Sequence, residues 1–418
     1  MKNYKHVSRA SRGKRGIVLC MIILLGIPLM AASEFRGLAI LGTDWGYAEG
    51  VEAKQAAIRE IMSEAKEKGF NAVFFQVREA GECFYPSKTE TWSTLFNESD
   101  PGFDPLQFAL QEAHRNGLQL HAQLDVLSAY SYVNKPKSPQ HLFIQHGTKW
   151  IIADNAFHPI KGDVFSYLDP SNPEVITYLK KQVNELITDY EIDGLYFTQM
   201  KYPNNKITKT EVFKKQYETI RSFTQSDIEN YAQDILTSCL EALVIEVKLV
   251  KPYLTIFAET EPMHHELKGF KSLYPADTYY FQKGISWLES GLIDVLVPRI
   301  HFRSKSFNLL YDLYINASDL TQYIIPSLRG DKEDYKGSEI KKELADITKQ
   351  QGSGAILFSA TDALKNKSPY ETKADLPFLA HTHIETKVIE IDLSQQRIPN
   401  DIIKVNHNGR FRLVDQYN

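Results

Sequence analysis

In this 418-residue chain, side chains able to do chemistry recur just past the ends of short apolar runs. The first run is followed by Asp44 and Trp45. The second is followed by Arg78, Glu79 and Glu82, then Tyr85. The third carries His121 and ends at Asp125, and the fourth carries Tyr196 and ends in Thr198, Gln199, Lys201 and Tyr202. The fifth ends in Glu259 and Glu261 and the sixth in Arg299 and His301. Arg329 and Asp331 follow the seventh, and Asp362 the eighth. Carboxylates, aromatic rings, Arg and His converging on one surface suit a carbohydrate. Sugar rings stack on aromatic faces, charged and amide groups hold hydroxyls, and glycosidic cleavage takes two carboxyl groups, one as acid and one as base or nucleophile.

Several of these residues also have a structural reading. Arg78 reads equally as a buried ion-pair partner, and His121, in mid-run, as a hydrogen-bonded core histidine. Trp92 and Tyr85 read as loop packing or as stacking surfaces. Asp193 stands at the start of its run, on the opposite side from the others, and reads as structural. His264 and His265 have no partner at metal-ligand spacing and read as loop residues.

The runs themselves are Phe35–Leu41, Asn71–Val77, Leu118–Leu124, Asp193–Thr198, Tyr253–Ala258, Leu292–Pro298, Gln322–Leu328 and Gly354–Ser359. They are nearly continuous in apolar residues, as in parallel strands covered on both faces. Helical patterns lie between them at 51–68, 105–116, 173–190, 228–247 and 338–350. The third of these opens with Ser171-Asn172-Pro173-Glu174, a capping-box spacing with Pro in the first turn. Eight strands alternating with helices predict an α/β fold, a (β/α)8 TIM barrel whose function collects at the C-terminal ends of the strands. A dinucleotide-binding open sheet is disfavoured: the first run leads into Gly42-Thr43-Asp44-Trp45-Gly46, without the Gly-x-Gly-x-x-Gly spacing. Alternating pieces at Lys387–Leu393 and Arg410–Val414 predict a small C-terminal β appendage.

Composition narrows the class. Hydrophobic residues make up 43% and charged residues 24%, enough to bury a large core. With 48 Lys and Arg against 52 Asp and Glu, the net charge is −4, without the basic footprint of a nucleic-acid binder. Lys2, Lys5, Arg9, Arg12, Lys14 and Arg15 precede an uncharged apolar run at 16–30, and Ala31-Ala32-Ser33 follows it, the order of a secretory signal peptide. An uncleaved anchor helix is the alternative, although about 20 apolar residues are needed to span a bilayer. Removing 1–33 takes six basic residues and no acidic one from the −4 chain, leaving −10. Of the three cysteines, Cys20 belongs to the apolar run, and Cys83 and Cys239 read as separate thiols.

Particular stretches resemble a known family. Asn71 to Arg78 (NAVFFQVR), Tyr85 to Lys88 (YPSK), Trp92-Ser93, Phe103 to Leu106 (FDPL) and Glu112 to Ala122 (EAHRNGLQLHA) look like the glycosyl-hydrolase-like 10 family. So do Leu168 to Val175 (LDPSNPEV), Asp193 to Phe197 (DGLYF), Tyr202-Pro203, Trp287 to Asp294 (WLESGLID) and Val297-Pro298. Together they cover about 35–365. The resemblance implies a TIM barrel exported by bacteria, glycoside-hydrolase activity and, for some members, peptidoglycan glycan as substrate. The chain departs from the family at the strand ends. Where the family has His-Ala-Trp-Leu-Asn, this chain has His121-Ala122-Gln123-Leu124-Asp125. Where it has Phe-Asp-Asp-Tyr, including the expected catalytic acid, this chain has Phe197-Thr198-Gln199-Met200. Gly-Ile-Ser-Pro becomes Phe257-Ala258-Glu259-Thr260, and Pro-Gln-Ile-Tyr becomes Pro298-Arg299-Ile300-His301.

Substitution concentrated at the strand ends over an intact scaffold predicts an altered site on a kept fold. The expected organisation is a signal peptide at 1–33, a barrel at 34–366 and an extension at 367–418. Two functions follow. One is an exported glycoside hydrolase with a rebuilt acid pair, Asp125 and Glu259, with Glu261 as a substitute. The other is a hydrolysis-dead barrel that binds a glycan or a protein in the envelope. Either way Arg78, Tyr85, Trp92, His121, Tyr196, Gln199, Tyr202, Arg299 and His301 are candidate substrate contacts. The expected partner is a polysaccharide such as peptidoglycan, with no cofactor, no metal and no nucleic acid.

Overall fold

The structure is a computed structural model. It describes residues 34–372 apart from 155, 157, 163, 207–224, 271–272, 331–336, 366 and 371, together with strand residues 402–405 and 411–414. The expected signal peptide lies outside the described residues, as does the Lys387–Leu393 piece. Among the described residues no helix is long and apolar enough to cross a membrane.

Eight parallel strands form the central sheet: β1 Phe35–Ile40, β2 Ala72–Glu79, β3 Gln119–Asp125, β4 Gly194–Thr198, β5 Thr255–Thr260, β6 Val295–Pro298, β7 Ser327–Arg329 and β8 Gly354–Phe358. Hydrogen bonding runs in the order β6-β5-β4-β3-β2-β1-β8-β7. Parallel bridges Leu296–Ile324 and Arg299–Ser327 join β6 to β7 and close the ring. Each apolar run predicted from the sequence contains or overlaps one of these strands, shifted by a few residues at its ends.

The connecting helices are α1 Gly50–Glu67, α2 Pro105–Arg115, α3 Pro173–Asp189, α4 Gln225–Val250, α5 Gly284–Glu289, α6 Ser304–Ile315, α7 Gly337–Lys349 and α8 Ala360–Lys365. Caps fix their starts. Asp104 accepts the Gln107 amide ahead of α2 and Asn172 accepts the Glu174 amide ahead of α3, each with Pro in the first helical position. The cap of α3 is therefore Asn172 and not Ser171, whose hydroxyl donates to Asp169 at 2.7 Å.

The barrel interior is aromatic. Phe35, Phe74, Phe257 and His121 meet there with ring centroids 4.8–6.4 Å apart. Space for the imidazole comes from Gly194, where a Cβ would stand 2.5 Å from His121 Nδ1. A second, larger apolar layer packs the outer face of the strands against the helices. Asp193 accepts the Leu120 amide at 2.7 Å and pairs with His114 at 3.0 Å, the structural role expected of it. Cys83 and Cys239 are buried free thiols. At the C-terminal end, Ile402–Val405 and Phe411–Val414 pair as an antiparallel hairpin.

Candidate functional site

Asp125 closes β3, Thr198 closes β4, Glu259 sits in β5 with Glu261 just beyond it, and Arg299 follows β6. Parallel register brings their side chains to one end of the barrel, the end where such folds keep their active sites. Tyr196 donates its hydroxyl to Glu259 Oε2 at 3.2 Å. Arg299 lies across both glutamates, with Nη2 2.8 Å from Glu261 Oε1 and Nε 3.8 Å from Glu259 Oε1. Lys201, almost wholly buried, donates to the same Glu261 oxygen.

The three candidate acids fall into two electrostatic states. Burial pushes Asp125 up to about 7, helped by the neighbouring Glu79 charge and opposed by the Thr198 hydroxyl and Arg78. Burial likewise pushes Glu259 up to about 7, with Arg299 opposing and Glu261 and Asp125 adding to it. Burial would raise Glu261 as well, but Lys201 and Arg299 outweigh it and hold the carboxyl down at about 2. Glu261 is thus a fixed anion clamped between two cations. Asp125 and Glu259 are carboxyls whose proton is exchangeable near neutral pH.

Thr198 faces the Asp125 carboxyl. Thr198 Oγ1 stands within bonding distance of both the Leu124 carbonyl, at 3.0 Å, and Asp125 Oδ1. Donated to Asp125, the Thr198 proton favours the anion and holds the carboxyl lower than burial alone would. The backbone behind Asp125 is fixed by Arg78, whose Nη1 donates to the carbonyls of Asp125, Val126 and Ser128, and whose Nε pairs with Glu90 at 2.8 Å.

Of the remaining candidate contacts, His301 stays at this end of the barrel, held by Ser327 Oγ at 3.0 Å, with burial holding it down at about 3. Gln199 is partly exposed, in a left-handed backbone conformation (φ 51°), and accepts the Tyr167 hydroxyl at 2.8 Å. The other candidates are turned into packing or into structural hydrogen bonds and do not face the cavity between the acids. Arg78 is 1% exposed and committed to Glu90 and three carbonyls. His121 is enclosed by the interior aromatic rings, its nitrogens without hydrogen bonds, and burial lowers it to about 4. Tyr85 is buried between the β2–α2 segment and α3, donating to Gln182 at 3.0 Å. Tyr202 is buried against Phe281, and Trp92 is half-buried beside Phe96. A mid-strand or loop position does not distinguish a side chain turned into packing from one turned to the cavity, so sequence grouped the two kinds together.

Two residues missing from the candidate contacts organise the site. Lys201 is one. Gln282 is the other: its Oε1 accepts the Glu261 amide at 2.9 Å, while its Nε2 donates to the carbonyls of Met200 at 3.1 Å and Glu259 at 3.2 Å. One buried amide thereby ties the ends of β4 and β5 to the segment ahead of α5. Nothing in the local sequence marks Gln282 beyond the aromatic run Tyr279-Tyr280-Phe281 before it.

The chain can now be set beside known proteins. It is 26% identical over 326 residues to the glycosyl hydrolase YngK of Bacillus subtilis, covering 70% of this chain and 60% of that protein. It is 27% identical over 289 residues to the glycosyl hydrolase DigH of Escherichia coli, covering 62% of this chain and 61% of that one. It therefore spans about three-fifths of the length of these relatives. Among solved structures, the PgaB (BpsB) glycoside hydrolase domain of Bordetella bronchiseptica superposes with a TM-score of 0.61 at 12% identity, over 79% of this chain and 95% of that domain, a likeness of fold. The glycosyl hydrolase-like 10 profile matches residues 36–326, well over half of the sequence. The chain belongs to the glycosyl hydrolase-like 10 family.

Proposed function

We propose that this protein is an exported glycoside hydrolase acting on a cell-envelope glycan, with peptidoglycan the first substrate to test. Asp125 serves as the general acid and Glu259 as the base or nucleophile. One observation carries this reading: Asp125, buried, and Glu259, largely buried, stand together at the C-terminal end of the barrel, where desolvation pushes each up to about 7. With both carboxyls pushed up toward neutrality, one can keep a proton to deliver to the leaving oxygen while the other is ionised. Tyr196 and Arg299 both favour the anion at Glu259. Asp125 has Glu79 at its side, which favours the protonated form. Glu261, ionised between Lys201 and Arg299, holds those two cations in place and is not a proton donor at neutral pH.

Incubating the protein with peptidoglycan stripped of peptides, and with the intact polymer, tests this reading when both released reducing ends and retained protein are measured. Export is tested by sequencing the N-terminus of the envelope form, which should begin near Glu34; intact Met1 on a cytoplasmic protein contradicts it.

A second reading has its own support. The positions at which the resemblance leads one to expect acids carry Thr198 and Gln199, and Gln199 cannot supply a proton. A barrel that binds the same glycan without cutting it would retain protein on the polymer and release no reducing ends.

A further inference from the structure

The segment between β5 and α5 carries three tyrosines that neither the catalytic proposal nor the core uses. Tyr274, 48% exposed, lies parallel to Tyr279, with ring centroids 4.0 Å apart and an interplanar angle of 10°. Tyr279 meets Tyr280 edge-on at 4.8 Å. Tyr280 lies beneath the Lys201 ammonium at 4.8 Å, and Lys201 donates to Glu261. The rings therefore make a continuous path from solvent to the charged cluster at the barrel mouth.

This segment is held rigidly to the site. The Tyr202 amide donates to the Tyr280 carbonyl at 3.2 Å, the Ala276 amide to the Met263 carbonyl at 2.7 Å, and Gln282 clamps both Glu259 and Glu261 through their backbones. An aromatic ring fixed flat by a stacked neighbour and presented to water offers a large contact area at small entropic cost. A pyranose ring has an apolar C–H face that matches such a surface, and its outward hydroxyls remain in water.

We propose that Tyr274, backed by Tyr279, is a distal sugar-stacking subsite that takes one pyranose residue of a glycan chain whose other end reaches Glu259 and Asp125. The ligand is a linear oligosaccharide long enough to cover both places. Tyr280, held under the Lys201 ammonium, forms the step between them. The inference rests on the glycan reading of the site, but it is independent of whether the bond is cut.

The test uses peptide-free peptidoglycan glycan strands sized to two and to eight sugars, with affinity measured by calorimetry on the wild type, Tyr274→Ala and Tyr274→Trp. The proposal predicts that the wild type binds the eight-sugar strand more tightly than the disaccharide. Tyr274→Ala should weaken the long strand about tenfold, the scale of losing one aromatic anchor, and leave the disaccharide unchanged. Tyr274→Trp should restore the long-strand affinity. Equal affinity of wild type and Tyr274→Ala for the long strand overturns the subsite, as does an equal loss for both lengths, which marks a merely structural role. A wild type that binds neither length overturns the subsite and the glycan reading together. Release of reducing ends is scored in parallel. Length-dependent binding without release leaves the subsite standing and sinks hydrolysis; release with no effect of Tyr274→Ala does the reverse.

Discussion

Tyr196 reaches across from β4 to place its hydroxyl 3.2 Å from Glu259 Oε2, where it donates to the carboxylate from inside the barrel. The bond favours the anion, opposing the burial that raises Glu259 to about 7. In Tyr196→Phe the anion loses that donor and the carboxyl holds its proton to higher pH. A base or nucleophile must be ionised, so the acidic limb of the pH–rate profile should move up by about one pH unit, with more activity lost at pH 6 than at pH 8. An unmoved limb in a pH series of reducing-end release would count against Glu259 as the ionised partner.

Stability should carry the signature of the same carboxyls. Asp125 and Glu259 hold their protons up to about 7 in the folded chain but release them near their ordinary, lower values when unfolded. Between about pH 4 and pH 7 the folded state binds more protons, so stability falls as pH rises through that window. Asp125→Asn removes one such group. It should be more stable than wild type by about 1–3 kcal/mol at pH 8, and no more stable at pH 4.5. Thermal unfolding at the two pH values reads this out, and a variant less stable than wild type at pH 8 would refute it.

The neighbouring positions at the end of β4, Thr198 and Gln199, separate sharply. Thr198 is buried and its hydroxyl touches Asp125, so Thr198→Asp forces a second carboxyl against a buried one. It should destabilise the protein by about 2–4 kcal/mol. Gln199 is partly exposed, sits at a positive φ that Asp tolerates, and already accepts from Tyr167. Gln199→Asp should fold and, because Asp125 already holds the general-acid role, leave glycan hydrolysis without a large gain. A gain of about tenfold or more in Gln199→Asp would favour the second reading, in which the barrel has lost its acid.

The scaffold was legible because parallel strands buried on both faces leave continuous apolar runs, and all eight emerged near their observed positions. Asp193 was legible for a related reason: a carboxylate at a strand's start lies at the end of the barrel away from the site, and here it accepts the Leu120 amide. The site was harder to read. Arg78 lies at the C-terminal end of β2 and Tyr85 in the loop beyond it, but Arg78 turns to Glu90 and Tyr85 to Gln182. Sequence position gives the end of a strand; it does not give the face a side chain takes once a loop begins. Gln282 was invisible for a different reason. Its function is to satisfy three backbone groups from two distant strands, and such long-range pairing leaves no local pattern.

The most direct measurement of the central claim is the rate of reducing-end release from peptide-free peptidoglycan by wild type, Asp125→Asn and Glu259→Gln, with folding checked by circular dichroism. The account predicts measurable release by the wild type and a fall of about 10²–10⁴-fold in each variant at unchanged fold. Wild-type rates in both well-folded variants would contradict it and remove this pair as the catalytic acids.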